Sequence, residues 1–195
     1  MLVLLVLKVA GCSRSVGEIT HIDAKEAAAK AMAEYDSNRD GYLDARELER
    51  CPGLKSVMPQ FDKDRDGRLS QAEIEEGLTA IQQNQSGLTE VMCKVTLNKQ
   101  PLVGASVILE PEPFLQADIK PAQGTTNEQG RVALQIEGET QPGCNVGLYR
   151  VRVSKHDAGE HIPARYNTQS QLGLGVGSGL APRGTGIYNF HLTSP

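Results

Sequence analysis

Two twelve-residue segments constrain this chain more than any other feature of its 195 residues. Residues 36–47 read DSNRDGYLDARE and residues 62–73 read DKDRDGRLSQAE. In the first, Asp36, Asn38, Asp40, Asp44 and Glu47 place side-chain oxygens at positions 1, 3, 5, 9 and 12, with Gly41 at position 6. In the second, Asp62, Asp64, Asp66, Ser70 and Glu73 do the same around Gly67. Position 7, Tyr42 or Arg68, offers its backbone carbonyl. Glycine suits a sharp bend because no Cβ obstructs it. A run of hard oxygens on such a bend cannot enter an apolar core without partners, so it wraps a cation or stays in water. Each segment carries four acidic side chains, whose mutual repulsion a divalent cation offsets.

The two segments resemble the EF-hand loop at every diagnostic place. The resemblance implies two calcium ions, held by Asp36, Asn38, Asp40, Tyr42, Asp44 and Glu47 and by Asp62, Asp64, Asp66, Arg68, Ser70 and Glu73. In that loop the position-12 glutamate chelates with both oxygens and position 9 acts through a water. Helix signals flank the loops: 24–34 enters the first, 45–51 leaves it, and 71–82 leaves the second. Asp44 and Ser70 are suited to cap the exit helices. Leu43 and Leu69, at position 8, are expected to join the loops in a small sheet, and Tyr35 and Phe61 to cap a shared core. The loops start only 26 residues apart, and Pro52, Gly53 and Pro59 crowd the connection. The helix entering the second loop is therefore short, about 54–60. Such spacing is similar to compact bacterial EF-hand pairs and leaves little groove for a target helix, which speaks against a sensor.

Beyond a linker at 84–88 the period changes from helical to two. Val91 to Leu97, Val103 to Leu109, Val132 to Ile136, Tyr149 to Val153 and Ile187 to Leu192 alternate apolar with polar residues, with turns at 98–101 and 127–130. The expected fold class is α+β in two domains: a helical pair at 21–83, then an antiparallel β-sandwich at 89–195. Aromatic residues make up 4% and Trp is absent, so the core rests on Leu, Val, Ile and Ala. Charge divides at the same boundary. Residues 21–83 hold 14 acidic and 9 basic residues, while the remainder beyond residue 12 is balanced. With a net charge of −4 the chain has no basic surplus for phosphates, which speaks against nucleic acid as a partner.

Three runs in the second half resemble the carboxypeptidase-regulatory-like, transthyretin-like (prealbumin-like) domain. They are CKVTLNKQPLVGA at 93–105, TNEQGRVAL at 126–134, and Pro142-Gly143 followed by GLYRVRV at 147–153. The resemblance implies a β-sandwich with an adhesion or scaffold role and no chemistry of its own. Residues 162–167, IPARYN, resemble a segment of small exported proteins of planctomycete-like bacteria. The Gly-rich stretch 172–186 lacks the spacing of a phosphate-binding loop and reads as a flexible loop before the last strand.

Residues 1–11, MLVLLVLKVAG, read as a signal peptide, and Val9-Ala10-Gly11-Cys12 resembles a bacterial lipobox. That implies export, lipid on Cys12, a polar tether over 12–20, and a place in the cell envelope, periplasmic or on the cell surface, held to a membrane. Cys51, Cys93 and Cys144 remain. Cys93 and Cys144 flank strand-like runs, which allows a disulfide between them, and Cys51 reads as a buried thiol at a helix end.

Histidines at 21, 156, 161 and 191 form no H-E-x-x-H, and no G-x-S-x-G occurs, so no enzyme is expected. The expected function is a calcium-binding envelope lipoprotein with calcium in a structural role. The alternative is a carbohydrate- or protein-binding surface module in which calcium only staples the fold, its partner a glycan or an envelope protein. The strand half, neutral and with its own alternating runs, is expected not to need the metal.

Overall fold

The computed structural model describes residues 20–85, 87–155, 162–182, 184 and 186–194. The lipobox with Cys12, and both His156 and His161, lie outside the described residues.

Helix α1 (Ala24–Tyr35) is alanine-rich, and the Asp23 side chain caps it by accepting the Glu26 N–H at 2.9 Å. Its buried stripe is Ala27, Ala28, Ala31 and Tyr35. Strand β1 (Tyr42–Leu43) comes next, then α2 (Pro52–Phe61), β2 (Leu69–Ser70) and α3 (Gln71–Ile81). β1 and β2 pair antiparallel with Leu43 opposite Leu69, both fully buried, as their position in the loops predicts. Phe61 lies against Gly77 of α3, where a Cβ would come within 2.5 Å of the ring.

One helix expected from the sequence does not form. Residues 45–51 make turns and a short 3-10 segment, Leu48–Arg50. Pro52 explains this: proline pushes the preceding residue out of the helical region, and Cys51 has φ −125° and ψ 76°. Pro52 then opens α2, where its missing N–H costs nothing.

The strand half comprises β3 (Met92–Leu97), β4 (Gln100–Pro101), β5 (Ser106–Pro111), β6 (Ala122–Thr125), β7 (Arg131–Ala133), β8 (Gln135–Ile136), β9 (Gly147–Ser154), β10 (Leu172–Val176) and β11 (Ile187–Leu192). These form two sheets. One has five strands in the order β10–β9–β5–β6–β8, and the other is ordered β11–β3–β4 with β7 also pairing to β3. Most pairs are antiparallel, but β11 runs parallel to β3, with Ile187 opposite Met92 and Leu192 opposite Leu97. The Gly-rich stretch is corrected in part, since its first five residues are β10, paired to β9 from Leu172 opposite Val151 to Val176 opposite Gly147. Its glycines serve packing. A Cβ on Gly173 would collide with the Pro52 carbonyl, so glycine lets α2 lie directly on the strand.

The helical and strand halves share one apolar core, in which Ala31, Leu54 and Val57 belong to the same buried cluster as Leu115, Leu148 and Val176. Tyr35 meets Phe114 edge-on at 6.4 Å between ring centroids. Among the described residues only Val103 is a large hydrophobic side chain left exposed. Cys51, Cys93 and Cys144 are all buried free thiols, so no disulfide joins Cys93 to Cys144. Cys144 bridges to Thr89, four residues before Cys93, which itself lies opposite Val132. Burial pushes both thiols up to about 12. No helix among the described residues is long and apolar enough to cross a membrane.

Candidate metal centre

The two loops bend in the same way. Arg39 and Gly41 have φ of 60° and 87°, and Arg65 and Gly67 have 64° and 82°. No atom would crowd a Cβ at Gly41 or Gly67, so glycine is there for its backbone angle alone. That angle aims the Gly41 N–H at Asp36 Oδ2 (3.1 Å) and the Gly67 N–H at Asp62 Oδ2 (3.0 Å). Each position-1 carboxylate thus has one oxygen tied to the bend. In the first loop the other, Asp36 Oδ1, is buried with no hydrogen-bond partner. A buried anionic oxygen left bare is costly, and a cation satisfies it.

The remaining donors are oriented by their own loop. Asn38 Oδ1 accepts from the Asp40 N–H at 2.9 Å, and Asp40 Oδ1 from the Tyr42 N–H at 3.0 Å. Asp64 Oδ1 and Asp66 Oδ1 accept from the Asp66 and Arg68 N–H groups at 3.0 and 2.8 Å. Oxygens of Asp62, Asp64 and Asp66 lie within 4.8 Å of one another, close enough to share one ion. Like charges that close repel unless a cation stands between them.

Glu47 and Glu73 close the loops. Glu47 Oε1 accepts from the Ser37 N–H (2.8 Å) and hydroxyl (3.0 Å), and Oε2 from the Asp44 N–H (3.0 Å). Glu73 Oε1 accepts from the Lys63 N–H (2.9 Å), and Oε2 from the Ser70 N–H (2.9 Å) and hydroxyl (2.8 Å). Burial opposes ionisation of each carboxyl, but these donors outweigh it and hold both below the ordinary glutamate value. Both therefore carry charge at neutral pH, as chelation requires. Ser70 and Glu73 also form a reciprocal capping box at the start of α3. Asp44 Oδ1 accepts from the Arg46 and Glu47 N–H groups at 2.8 and 3.0 Å, so it caps the turn that stands in place of the expected exit helix.

Protein-family comparison matches the EF hand twice, over residues 29–52 and 54–78. Residues 29–78 are a tandem EF-hand pair. Their oxygen donors are of the kind calcium takes, hard and flexible in number, so the pair is a calcium-binding unit. When bound, calcium supplies the positive charge that offsets the carboxylates of each loop. Comparison with curated proteins finds no match to the chain.

Among the described residues the structure draws the carboxylates of Asp62, Asp64 and Asp66 together, and it forms no such cluster of three acidic groups in the first loop, where position 3 is Asn38. Three side chains, two of them outside the predicted donor sets, take roles that carry no sequence signal. Ser37 holds Glu47, and a serine inside a loop gives no sign of that. The Arg68 guanidinium grips Asp66 Oδ2 at 2.9 Å and lies 4.0 Å over the Tyr42 ring of the other loop. Lastly, Glu112 of the strand half reaches the connector between the loops and accepts the Gly53 N–H at 2.7 Å.

Proposed function

We propose that this is a calcium-binding protein of the cell envelope, exported and held to a membrane by lipid on Cys12, with no catalytic role. One calcium ion sits in each loop and fixes the helical half in its folded form. The observation that carries the reading is the matched pair of loops, in which the same left-handed bends and the same Gly N–H to Asp bonds organise two oxygen sets. A structural rather than sensory role is supported by the cover over the helices. Phe114 and Leu115 pack on α1 and β10 packs on α2, so the faces a sensor would open are already occupied within the chain. The strand half serves as an adhesion or scaffold module, a reading that rests on its transthyretin-like motifs.

Calorimetry on the chain from residue 12 onward tests the metal reading. Two equivalents of calcium are expected, and none in the Glu47→Gln plus Glu73→Gln variant. A single equivalent, or binding unchanged in that variant, rejects it. Detergent partitioning of the full-length protein and of Cys12→Ala tests the anchor. Wild type should enter the detergent phase and the variant the aqueous one, and equal aqueous partitioning rejects lipidation.

A further inference from the structure

The entering helix of the second EF hand lacks a cap of its own. Cys51, at the N-cap of α2, makes no side-chain cap hydrogen bond, and the Gly53 N–H of the first turn finds no partner there. The strand half supplies one. Glu112, fully buried just past the end of β5, accepts the Gly53 N–H with Oε1 at 2.7 Å. Its Oε2 lies 3.6 Å from Arg150 Nη2 of β9, and the same Nη2 donates to the Arg50 carbonyl at 2.7 Å. Glu112 and Arg150 together grip both ends of the segment 50–53 that joins the two calcium loops. Gly53 is needed for the grip, because a Cβ there would stand 2.7 Å from Glu112 Cγ.

The grip also touches the first loop from its other side. Tyr35 precedes the ligand Asp36, packs on Phe114, and lies 5.8 Å beneath the Arg50 guanidinium. The Cys51 thiol, Tyr35, Glu34, Arg50 and Arg150 are the titratable and charged groups around Glu112. Three polar atoms here, Tyr35 Oη, Glu112 Oε2 and Arg150 Nε, are buried without a hydrogen-bond partner. Removing Glu112 or Arg150 alone would leave the other charge in the closed junction without its partner, which makes the two residues act as a pair.

We propose that Glu112 and Arg150 couple the calcium sites to the strand half, so that calcium bound at residues 36–73 stabilises β5 and β9 as well as the helices. This rests on the calcium reading above and departs from the expectation that the strand half does not need the metal. The linkage is reciprocal: strands that cap α2 also raise calcium affinity.

Hydrogen exchange followed by mass spectrometry, on the full chain with calcium and with chelator, tests the coupling. In wild type, calcium should slow exchange at least about tenfold in α1 and α3 and also in β5 and β9, as mass action on a shared unfolding unit requires. In Glu112→Gln with Arg150→Met, the slowing in α1 and α3 should persist while that in β5 and β9 falls below about twofold. Wild-type slowing confined to residues 20–83 overturns the coupling and leaves the calcium reading intact. Slowing of β5 and β9 that survives in the variant overturns the assignment to these two residues. No slowing anywhere, with no calcium retained in equilibrium dialysis, overturns the calcium reading itself. The wild-type measurement decides the coupling even if the double variant fails to fold.

Discussion

Loops 36–47 and 62–73 share donor positions, bends and charge, yet the chain leaves them differently. The second passes through the Ser70–Glu73 capping box into an eleven-residue helix, α3. The first passes through Asp44 into turns and a three-residue 3-10 segment, Leu48–Arg50. The ligand pattern organises the loop, but the residues just beyond it decide whether a helix forms. Cys51-Pro52 stops the first exit, and the strand half then takes over the ends that a helix would have satisfied. The exit from the first loop is therefore held by Glu112 and Arg150 of the strand half, whereas the exit from the second starts from a cap of its own and meets the strand half at its far end, where Ile81 accepts the Ser178 N–H at 2.9 Å.

The largest expected difference is between Glu47→Gln and Glu73→Gln. Each should remove one ion, and at free calcium of about 100 times Kd one site contributes about 2.7 kcal/mol. Thermal melts in calcium should show the greater loss for Glu47→Gln, because Glu47 is buried whereas Glu73 is only half-buried. Equal losses would break the contrast between the loops.

Next comes Gly53→Ala, which forces a Cβ against Glu112 and should cost about 1–3 kcal/mol in chemical denaturation. Gly67→Ala meets no neighbour and should cost only the left-handed backbone penalty, about 1–2 kcal/mol. A Gly53→Ala protein as stable as wild type would mean that the connector is not held tightly.

The pH profile sharpens the same point. Burial raises the Glu112 carboxyl from 4.5 to about 7, against the opposing pull of the Gly53 N–H and Arg150. A raised value means the folded state binds the proton more tightly. The contribution of Glu112 is therefore full below about pH 4.5 and declines as pH rises towards 7. Glu47 and Glu73, held below their ordinary value, act in the opposite sense and lose their contribution as pH falls. The stability of wild type minus that of Glu112→Gln should fall between these pH values, and a flat difference would show that Glu112 does not titrate in that window.

Smaller still is the loss from Ser70→Ala, about 1 kcal/mol of stability through the capping box of α3. Last is Arg68→Met, which frees Asp66 from an exposed guanidinium. Calcium affinity at the second loop should rise by less than about threefold, and the gain should shrink in high salt. A larger gain would mean that Arg68 regulates the site.

The calcium loops were legible because every requirement in them is local. Gly41 and Gly67 meet a backbone angle, the aspartates meet N–H groups two to five residues away, and Leu43 and Leu69 pair through a register the motif implies. The strands that alternate cleanly were legible too, as with Val107 and Leu109 in β5 or Val151 and Val153 in β9. β10 was hidden because Gly173 and Gly175 carry no side chain to alternate, and they are glycine to admit α2. The parallel pairing of β11 with β3 was hidden because no local pattern distinguishes a parallel neighbour from an antiparallel one.

By itself the sequence determined the oxygen sets, their bends, the helices with their own caps and the change from helical to strand period. All of these depend on interactions within a few residues of the chain. Only the tertiary structure decided that the exit from the first loop is not a helix and that two periodic halves share one core. Only it decided that a carboxylate 59 residues away caps α2. Glu112 carries no mark in its own neighbourhood, because the group it satisfies is an N–H that Cys51 leaves without a partner. Burial makes that bond necessary, and burial depends on which surfaces meet.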